Sequence, residues 1–162
     1  KRQPGHTVIR VERLASPDDL DGVLAIEEAS FNNPTTRAWY EAELKRPAVC
    51  FIYVLRTADT PVAGFCAFWL VGDLAHINQF AIRPDVRRHG LGRQLIEAVA
   101  LEAARLGAAE LTLEVRESNE PAIKLYESTG FTREGVRKNY YTTPVEHALI
   151  LTRRLVVTDR PT

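Results

Sequence analysis

The sequence predicts an α/β protein built on a mixed, largely antiparallel sheet of about seven strands, splayed near its middle, with four helices on its faces. Three observations support this prediction. Three apolar runs, at 49–56, 62–71 and 76–82, follow one another before any long helix and are typical of adjacent strands. A glycine-containing turn then leads into a long amphipathic helix. Further strands alternate with one short helix after it.

The bulk composition indicates one ordinary globular domain. The chain has 162 residues, of which 45% are hydrophobic, and we expect a single domain over 1–162 with its core at about 7–155. The 21 basic and 21 acidic residues cancel, which argues against a nucleic-acid or anionic-membrane protein, since both normally carry a basic excess. We therefore expect neither nucleic acid nor membrane as a partner.

The cysteines and the chain ends indicate the compartment. Cys50 and Cys66 lie in apolar runs without paired Cys or His spacing, so we expect reduced core residues and no metal site. No run approaches 18 apolar residues and residues 1–6 lack the apolar segment of a signal peptide, which favours a cytoplasmic protein. The chain begins with Lys1 and not with Met, which leaves open whether native residues precede it.

The N-terminal third reads as a strand followed by two helices. Alternation predicts the first strand over Thr7 to Leu14. Ser16 is a good N-cap and Pro17 suits the first helical position, so a helix with an apolar stripe that reaches Phe31 should follow. The segment 32–34 breaks that helix, and Thr35 or Thr36 begins a second one.

The middle of the chain contains the predicted meander. Residues 49–56 and 62–71 form a hairpin, and a third strand ends at Ile82. A long helix then runs from Leu91 and stops at Gly107, which suits a left-handed C-terminal cap.

The last third completes the sheet. Ala109 to Val115 alternates leucines and valine against Glu and Thr, as a half-buried strand does. A short helix follows Ser118-Asn119 and ends at Gly130. Two more strands, Phe131 to Arg137 and His147 to Leu155, are joined by a tyrosine-bearing segment at 139–144, and residues 156–162 are expected to fray.

The turn at 87–92, RRHGLG, can form an anion site. Backbone N–H groups converge where a turn enters a helix, and the helix dipole adds positive charge. Gly90 and Gly92 permit a left-handed or crowded backbone, so that a phosphate can lie against the main chain. The turn lacks the third glycine of the dinucleotide fingerprint and the Gly-Lys-Ser/Thr ending of the P-loop. Taken alone, two glycines at this place are most often ordinary turn residues.

Glu114 and Tyr126 form a second candidate constellation. Glu114 lies on the polar side of its strand near the C-terminal end, where ligands tend to bind in open α/β sheets. Tyr126 follows twelve residues later, a spacing that lets the chain reverse and bring the phenol back beside the strand. Taken alone, each would be read as a surface carboxylate or a core aromatic residue.

Longer strings carry a family resemblance. The turn RRHGLG matches the Arg/Gln-x-x-Gly-x-Gly/Ala turn of the GNAT acetyltransferases. The strings LEVRESN at 113–119, AIKLYESTGF at 122–131 and RKNYY at 137–141 resemble the RimI branch of that family, which acetylates the N-terminal alanine of a small-subunit ribosomal protein. The resemblance is close over 77–151 and looser before it, and it implies the acyl-CoA N-acyltransferase fold.

The resemblance implies roles for individual residues. Glu114 matches the family's general base and Tyr126 its general acid. The residues expected to bind acetyl-CoA match the family's strand beside the pantetheine arm, its pyrophosphate loop and further contacts with the cofactor. They are Phe80, Ala81, Ile82, Arg87, Arg88, His89, Gly90, Leu91, Gly92, Asn119 and Tyr126. The expected substrate set lies in the first interhelical loop and the paired tyrosines: Phe31, Asn32, Asn33, Tyr140 and Tyr141.

The implied chemistry is direct attack in a ternary complex without a covalent enzyme intermediate. A carboxylate deprotonates the amine, a strand N–H near Phe80 stabilises the oxyanion, and a phenol protonates the departing thiolate. The chain departs from the branch in two places: residues 31–34 read FNNP where the branch usually has a Pro-Trp pair, and Gln79 replaces an Asn. His76, His89 and His147 are interpreted as scattered surface or loop residues, with His89 at most helping the phosphates.

Three functions remain open at this point. The first is N-terminal acetylation of a protein, with a ribosomal protein as partner and a monomeric or weakly dimeric enzyme. The second keeps the reaction but uses a small amine such as a polyamine, an amino acid or an aminoglycoside. The third is a module that senses acetyl-CoA without turnover, against which the presence of both Glu114 and Tyr126 argues.

Overall fold

The computed structural model describes residues 9–156, and in this range the chain forms seven strands, four α-helices and one 3-10 turn at Pro84–Val86. The strands are β1 Arg10–Arg13, β2 Cys50–Arg56, β3 Gly64–Val71, β4 Leu74–Ile82, β5 Glu110–Arg116, β6 Thr132–Thr142 and β7 Val145–Arg154. The helices are α1 Pro17–Ser30, α2 Arg37–Leu44, α3 Leu91–Arg105 and α4 Glu120–Ser128.

The strands form one sheet in the order β1-β2-β3-β4-β5-β7-β6. Every neighbouring pair is antiparallel except β4 and β5, which run parallel and pair only where Leu74–His76 lie beside Glu110–Thr112. The predicted mixed sheet with four helices and a splay near its middle is therefore confirmed.

Alternation along the central strands divides the core between the two faces of the sheet. On β2, Phe51, Tyr53 and Leu55 pack in one cluster with residues of α3 and α4. The intervening Cys50, Ile52 and Val54 pack in a second cluster with residues of α1 and α2. A strand covered on both faces explains why the run at 50–56 is apolar at nearly every position. Cys50 and Cys66 are both buried free thiols, as expected.

The predicted helix starts are confirmed by their caps. Ser16 Oγ accepts from the Asp19 N–H and Pro17 occupies the first turn of α1. Thr36 Oγ1 accepts from the Trp39 N–H, so Thr36 is the cap of α2. Helix α1 ends at Ser30, one residue before Phe31, which is its extended C-cap. No helix within residues 9–156 is long and apolar enough to cross a membrane.

Two predicted boundaries were wrong, and parts of the predicted first strand and C-terminal tail lie outside the described residues. The first strand begins at Arg10, and residues 7–8 fall outside the description, as do residues 157–162 of the predicted tail. Residues 139–142 are not a connecting segment, because β6 continues through them to Thr142. Asn139 adopts a left-handed φ of 53° at an irregularity between Arg137 and Tyr141, and pairing with β7 resumes beyond it. This local bend lets a long strand pass through a polar stretch that resembles a loop.

A bulge in β4 fixes which side chains face the splay. The register with β3 shifts between Ala67 and Phe68, so that Asn78 is the extra residue on β4. Before the bulge Ala75 and Ile77 face the α3 side, whereas after it Phe80 and Ile82 do. Because a one-residue insertion exchanges the faces of a strand, Phe80 reaches the α3 and α4 side.

Candidate active site

The splay between β4 and β5 opens at the C-terminal ends of two parallel strands. Beyond His76 and Thr112 the two strands separate, while β4 stays paired with β3 and β5 with β7. Ligands of open α/β sheets bind at such places. Both predicted catalytic residues have partners in these strands.

Glu114 lies on β5 in direct contact with His76 of β4. Its Oε2 is 2.6 Å from His76 Nε2, and its Oε1 is 3.5 Å from Nε of Arg137 on β6. The other ring nitrogen, His76 Nδ1, is 3.0 Å from Oδ1 of Asn78, the bulge residue. The Glu114 side chain is only 9% exposed and that of His76 is 29% exposed. A nearly buried carboxylate is thus connected to solvent-accessible surface through an imidazole.

The contact shifts the pKa values of both groups. The hydrogen bond from His76, against the opposing effect of burial, lowers the pKa of Glu114. The hydrogen bond to Glu114 raises the pKa of His76, again against the effect of burial. Glu114 is therefore a carboxylate at neutral pH, and the pair as a whole binds a proton more tightly than an isolated imidazole does.

Tyr126 on α4 is buried on the opposite side of the opening. Its ring packs edge-on against Phe80, at a centroid distance of 5.8 Å, and against Phe131, at 5.5 Å. Burial raises the pKa of Tyr126, so the phenol keeps its proton at neutral pH and has one to donate. The bulge that turns Phe80 toward α4 creates this contact.

The main chain of β4 presents hydrogen-bonding groups to the opening. Arg83 N–H donates to Ala63 O at 2.8 Å, which fixes the alternation of the β3–β4 ladder. By that alternation, the N–H and C=O groups of Phe80 and Ile82 point away from β3. The Ile82 carbonyl accepts from Arg87 Nε at 2.9 Å, in agreement with this direction. Phe80 therefore offers its main-chain groups on the side where β5 has separated.

The turn before α3 has the backbone of an anion site. Gly90, the N-cap, has a left-handed φ of 76° and Arg88 a φ of 70°, and no side chain caps the helix. A Cβ on Gly90 would have open space around it, so this glycine is required by conformation and not by crowding. The first-turn N–H groups of a helix have no acceptor within the helix. The turn therefore has the backbone that a phosphate site requires, and the phosphate site itself stays a prediction.

Other residues of the predicted cofactor set have partners of their own. Arg87 Nη2 donates to Ser30 Oγ at 2.9 Å, so this side chain connects the turn to the end of α1. Asn119 Oδ1 accepts from the Ala122 N–H and caps α4. A Cβ on Gly92 would lie 3.0 Å from the end of the Leu125 side chain, so a larger residue here would press on the contact between α3 and α4. Arg88 and His89 are exposed, Leu91 is buried, and Ala81 packs in the α1 and α2 cluster.

The loop after α1, which holds Phe31, Asn32 and Asn33, is fixed by side chains. Glu27, fully buried, accepts from the Thr35 N–H at 3.0 Å and from the Tyr40 hydroxyl at 2.5 Å. Gln79 Nε2 donates to Thr35 Oγ1 at 2.5 Å. Asn32 and Asn33 are exposed, whereas Phe31 packs against the α1 and α2 cluster. The loop is therefore tied to β4 one residue before Phe80.

The paired tyrosines lie on β6 beneath arginines. Their rings meet edge-on at 5.1 Å, with Arg137 over Tyr140 at 5.6 Å and Arg116 over Tyr141 at 4.2 Å. Burial, helped by nearby negative groups that include Glu114, raises the pKa of Tyr141 to about 12. Because Arg137 contacts both Tyr140 and Glu114, the tyrosine pair borders the carboxylate.

Sequence reasoning missed His76, which was wrongly interpreted as a scattered surface histidine. The pattern that could have revealed it is the polar face shared by His76 on β4 and Glu114 on β5. That inference needs the parallel register of β4 with β5, which no local signal provides. Within residues 9–156 no group of three or more His, Cys, Asp or Glu side chains could hold a metal ion, and the expectation of no metal stays a prediction.

Comparison with known proteins gives consistent matches. The model of the acetyltransferase (GNAT) family matches residues 20–131. A Salmonella typhimurium protein named ribosomal protein bS18-alanine N-acetyltransferase is 45% identical over 135 residues, covering 83% of this chain and 88% of that protein.

Two solved structures have the same fold. The crystal structure of the ribosomal-protein-S18-alanine N-acetyltransferase from Escherichia coli has a TM-score of 0.83 at 30% identity, covering 96% of this chain and 99% of that one. A GNAT family acetyltransferase from Elizabethkingia anophelis with acetyl-CoA bound has a TM-score of 0.70 at 18% identity, covering 91% of this chain and 98% of that one, and shows the fold alone.

Proposed function

The chain belongs to the GNAT acetyltransferase family, and from this premise we propose that it transfers the acetyl group of acetyl-CoA to the N-terminal alanine of a ribosomal protein. The relatives named for bS18 support the RimI branch that the sequence resembles. The observation that carries the proposal is the splay, which brings a carboxylate, a protonated phenol and a strand edge to one opening.

We propose Glu114 as the group that receives the proton of the amine. An α-amino group with a pKa of ~7.8 needs roughly 1 kcal/mol to become neutral at pH 7, against about 4.6 kcal/mol for a lysine side chain. Glu114 beside His76 is ionised at neutral pH, as a group that receives this proton must be, and the lower cost favours an N-terminal amine.

We propose Tyr126 as the proton donor to the leaving thiolate. Its raised pKa keeps the phenol protonated, and its contact with Phe80 places it beside the strand proposed to align the thioester. The N–H of Phe80, directed into the opening, is the proposed donor to the developing oxyanion.

Acetyl-CoA would supply the activated acetyl group, and the residues present fit its diphosphate. The proposed contacts are the main chain of 80–82, the turn 87–92 with its left-handed Gly90, and Asn119. The guanidinium of Arg88 and the ring of His89 are exposed beside that turn. Arg87 would contribute by supporting β4 and α1 as well as by its charge.

We propose that the peptide lies between the loop at Phe31, Asn32 and Asn33 and the pair Tyr140 and Tyr141. The first is tied to β4 through Gln79 and the second borders Glu114 through Arg137. A ribosomal substrate and the buried free thiols favour the cytoplasm as the place of action. A single domain over 1–162, and a monomer or weak dimer, stay proposals.

The decisive experiment is acetylation of a peptide that begins with alanine, followed by mass spectrometry, beside a panel of polyamines, amino acids and aminoglycosides. We expect the peptide to be acetylated on its α-amino group. Glu114→Gln should lower kcat by about 10²- to 10⁴-fold, the usual contribution of a general base. Glu110→Gln, on the same face of β5, is the matched control and should keep full activity.

Two outcomes would contradict the proposal. Turnover of small amines with none of the peptide would assign the chain to the second function. Full activity of Glu114→Gln would remove the assigned base while leaving the reaction itself in place.

A further inference from the structure

The contact between Glu114 and His76 has a consequence for proton flow. The reaction converts an ammonium group and a thioester into an amide and a thiol, and one proton is released to solution in each turnover. Glu114 is 9% exposed, so it has little direct access to water, whereas His76 is 29% exposed and lies 2.6 Å away. The histidine therefore lies on the outward path of that proton.

The surroundings of His76 accommodate the tautomer that can accept from Glu114. Oδ1 of Asn78 lies 3.0 Å from Nδ1, so the tautomer with a hydrogen on Nδ1 has an acceptor in place for it. In a neutral ring of this tautomer, Nε2 carries a lone pair that faces the carboxylate at 2.6 Å. Two acceptors at this distance require a proton between them, and the pair therefore has one strong proton site.

We propose that His76 is a proton-relay residue that accepts, through Glu114, the proton removed from the amine and passes it to water. This inference rests on the proposed function. The ammonium N–H bond breaks, Glu114 receives the proton, and the bond finally formed is to Nε2 of His76. Water then takes the proton from the imidazolium, so the pair returns to a carboxylate and a neutral imidazole before the next turnover and no other reactant is needed.

The relay matches the proton affinity of the base to that of the substrate. An ordinary Glu carboxylate, with a pKa of about 4.3, is more acidic than an α-ammonium group by ~3.5 pKa units, so transfer to it is unfavourable by about three orders of magnitude. An imidazole starts at about 6.5, and the contact with Glu114 moves the pKa of His76 upward from there. A base whose pKa approaches that of the substrate transfers protons more efficiently.

The groups around His76 determine the direction of the pH dependence. Glu114 on β5 favours the imidazolium, Asn78 accepts its Nδ1–H, and Arg137 on β6 opposes its charge. From β3, Trp69 packs against the ring at 6.3 Å. Only the deprotonated pair can accept from the amine, so kcat should rise as pH rises through the raised pKa of His76 and fall below it.

The experiment compares pH profiles of kcat for the wild type and His76→Gln, at saturating peptide and acetyl-CoA. Glutamine can still donate to Glu114 but cannot titrate. We expect kcat at pH 7.5 to fall by about 10²-fold, the lower end of acid–base contributions. The limb of the pH profile in which kcat rises through the pKa of His76 should disappear. His147→Gln is the matched control, since that ring accepts from the Asn139 N–H and does not contact Glu114, and it should retain the wild-type profile.

A second variant keeps the test valid if His76→Gln folds poorly. Asn78→Asp places a negative acceptor beside Nδ1–H, which should raise the pKa of His76 further and move the kcat limb to higher pH. NMR titration of the His76 ring should show the same displacement. A purely structural role for His76 predicts no displacement of the limb.

The outcomes separate the relay from the proposed function. A wild type that acetylates no amine would overturn the proposed function and the relay with it. An active wild type whose kcat profile is unchanged in His76→Gln would overturn the relay alone, as would a limb that does not follow the NMR titration in Asn78→Asp.

Discussion

The two loops on either side of the splay are built in different ways. The loop after α1 is held by side chains: Glu27 binds Thr35 and Tyr40 in the core, and Gln79 reaches Thr35 from β4. The turn before α3 is shaped by backbone conformation, with left-handed residues at Arg88 and Gly90 and no capping side chain.

The difference follows from what each loop is proposed to bind. A phosphate is recognised by main-chain N–H groups, which must stay available and therefore cannot be capped. A peptide is recognised by the shape of a groove, and shape depends on buried side-chain contacts. Changes in the first loop should therefore affect peptide binding and stability, whereas changes in the turn should affect acetyl-CoA binding.

The largest expected effect is that of Glu27→Ala on stability. The substitution leaves the Tyr40 hydroxyl and the Thr35 N–H without a buried partner, each at a cost of about 1–3 kcal/mol, so the free energy of unfolding should fall by about 4 kcal/mol. Denaturant unfolding measures it. Glu27→Gln is the control, because an amide can donate to Tyr40 and accept from Thr35. The free energy of unfolding of this variant should fall far less. Equal losses in the two variants would contradict the assigned hydrogen bonds.

The next effect is that of Gly90→Val on acetyl-CoA binding. A side chain has room there, but a φ of 76° costs a non-glycine residue about 1–2 kcal/mol. A turn that relaxes from this conformation in the free protein must recover it to bind, so the Kd of acetyl-CoA measured by calorimetry should rise about tenfold. Gly72→Val is the matched control, since Gly72 has a φ of 61° and equally open surroundings in the β3–β4 turn. The control should lose similar stability and keep its acetyl-CoA affinity. Weaker binding in both variants would argue against a specific role for the turn.

The smallest effect is expected for Gln79→Ala. Loss of one hydrogen bond of about 1 kcal/mol should raise the KM of the peptide about fivefold while kcat and the Kd of acetyl-CoA stay unchanged. Thr35→Val removes the same bond from the other side, so the double variant should be no worse than either single one. Additive effects in steady-state kinetics would show that the two side chains act separately.

The relation between sequence and structure differs between these two loops as well. The turn before α3 could be predicted because the phosphate site proposed for it depends on glycine and on a helix start, and both are local signals at 87–92. The loop after α1 could be located from the break at 32–34, but its attachment to Glu27 and Gln79 could not be predicted. Those contacts join residues 8 and 44 positions apart, and no periodicity encodes them.

The same reason explains which contacts of the two proposed catalytic residues could be predicted. Glu114 and Tyr126 could be proposed from family motifs and strand polarity. The partner of Glu114 could not, because His76 lies 38 positions away on a strand that is parallel only over Leu74–His76. The paired tyrosines were identified by motif but placed in a loop, since the bend at Asn139 that keeps them in β6 has no clear sequence signature.

The amino-acid sequence by itself determined the elements, their order, the helix caps and the glycine turn, because each depends on neighbours within a few positions. Only the tertiary structure decided which side chains meet at the splay. The bulge at Asn78 illustrates the physical reason: one extra residue in β4 exchanges the faces of the strand, turning Phe80 toward Tyr126 while His76 stays beside Glu114. Such a shift is set by pairing with β3 and by packing on both faces of the sheet, and it leaves no mark in the local pattern.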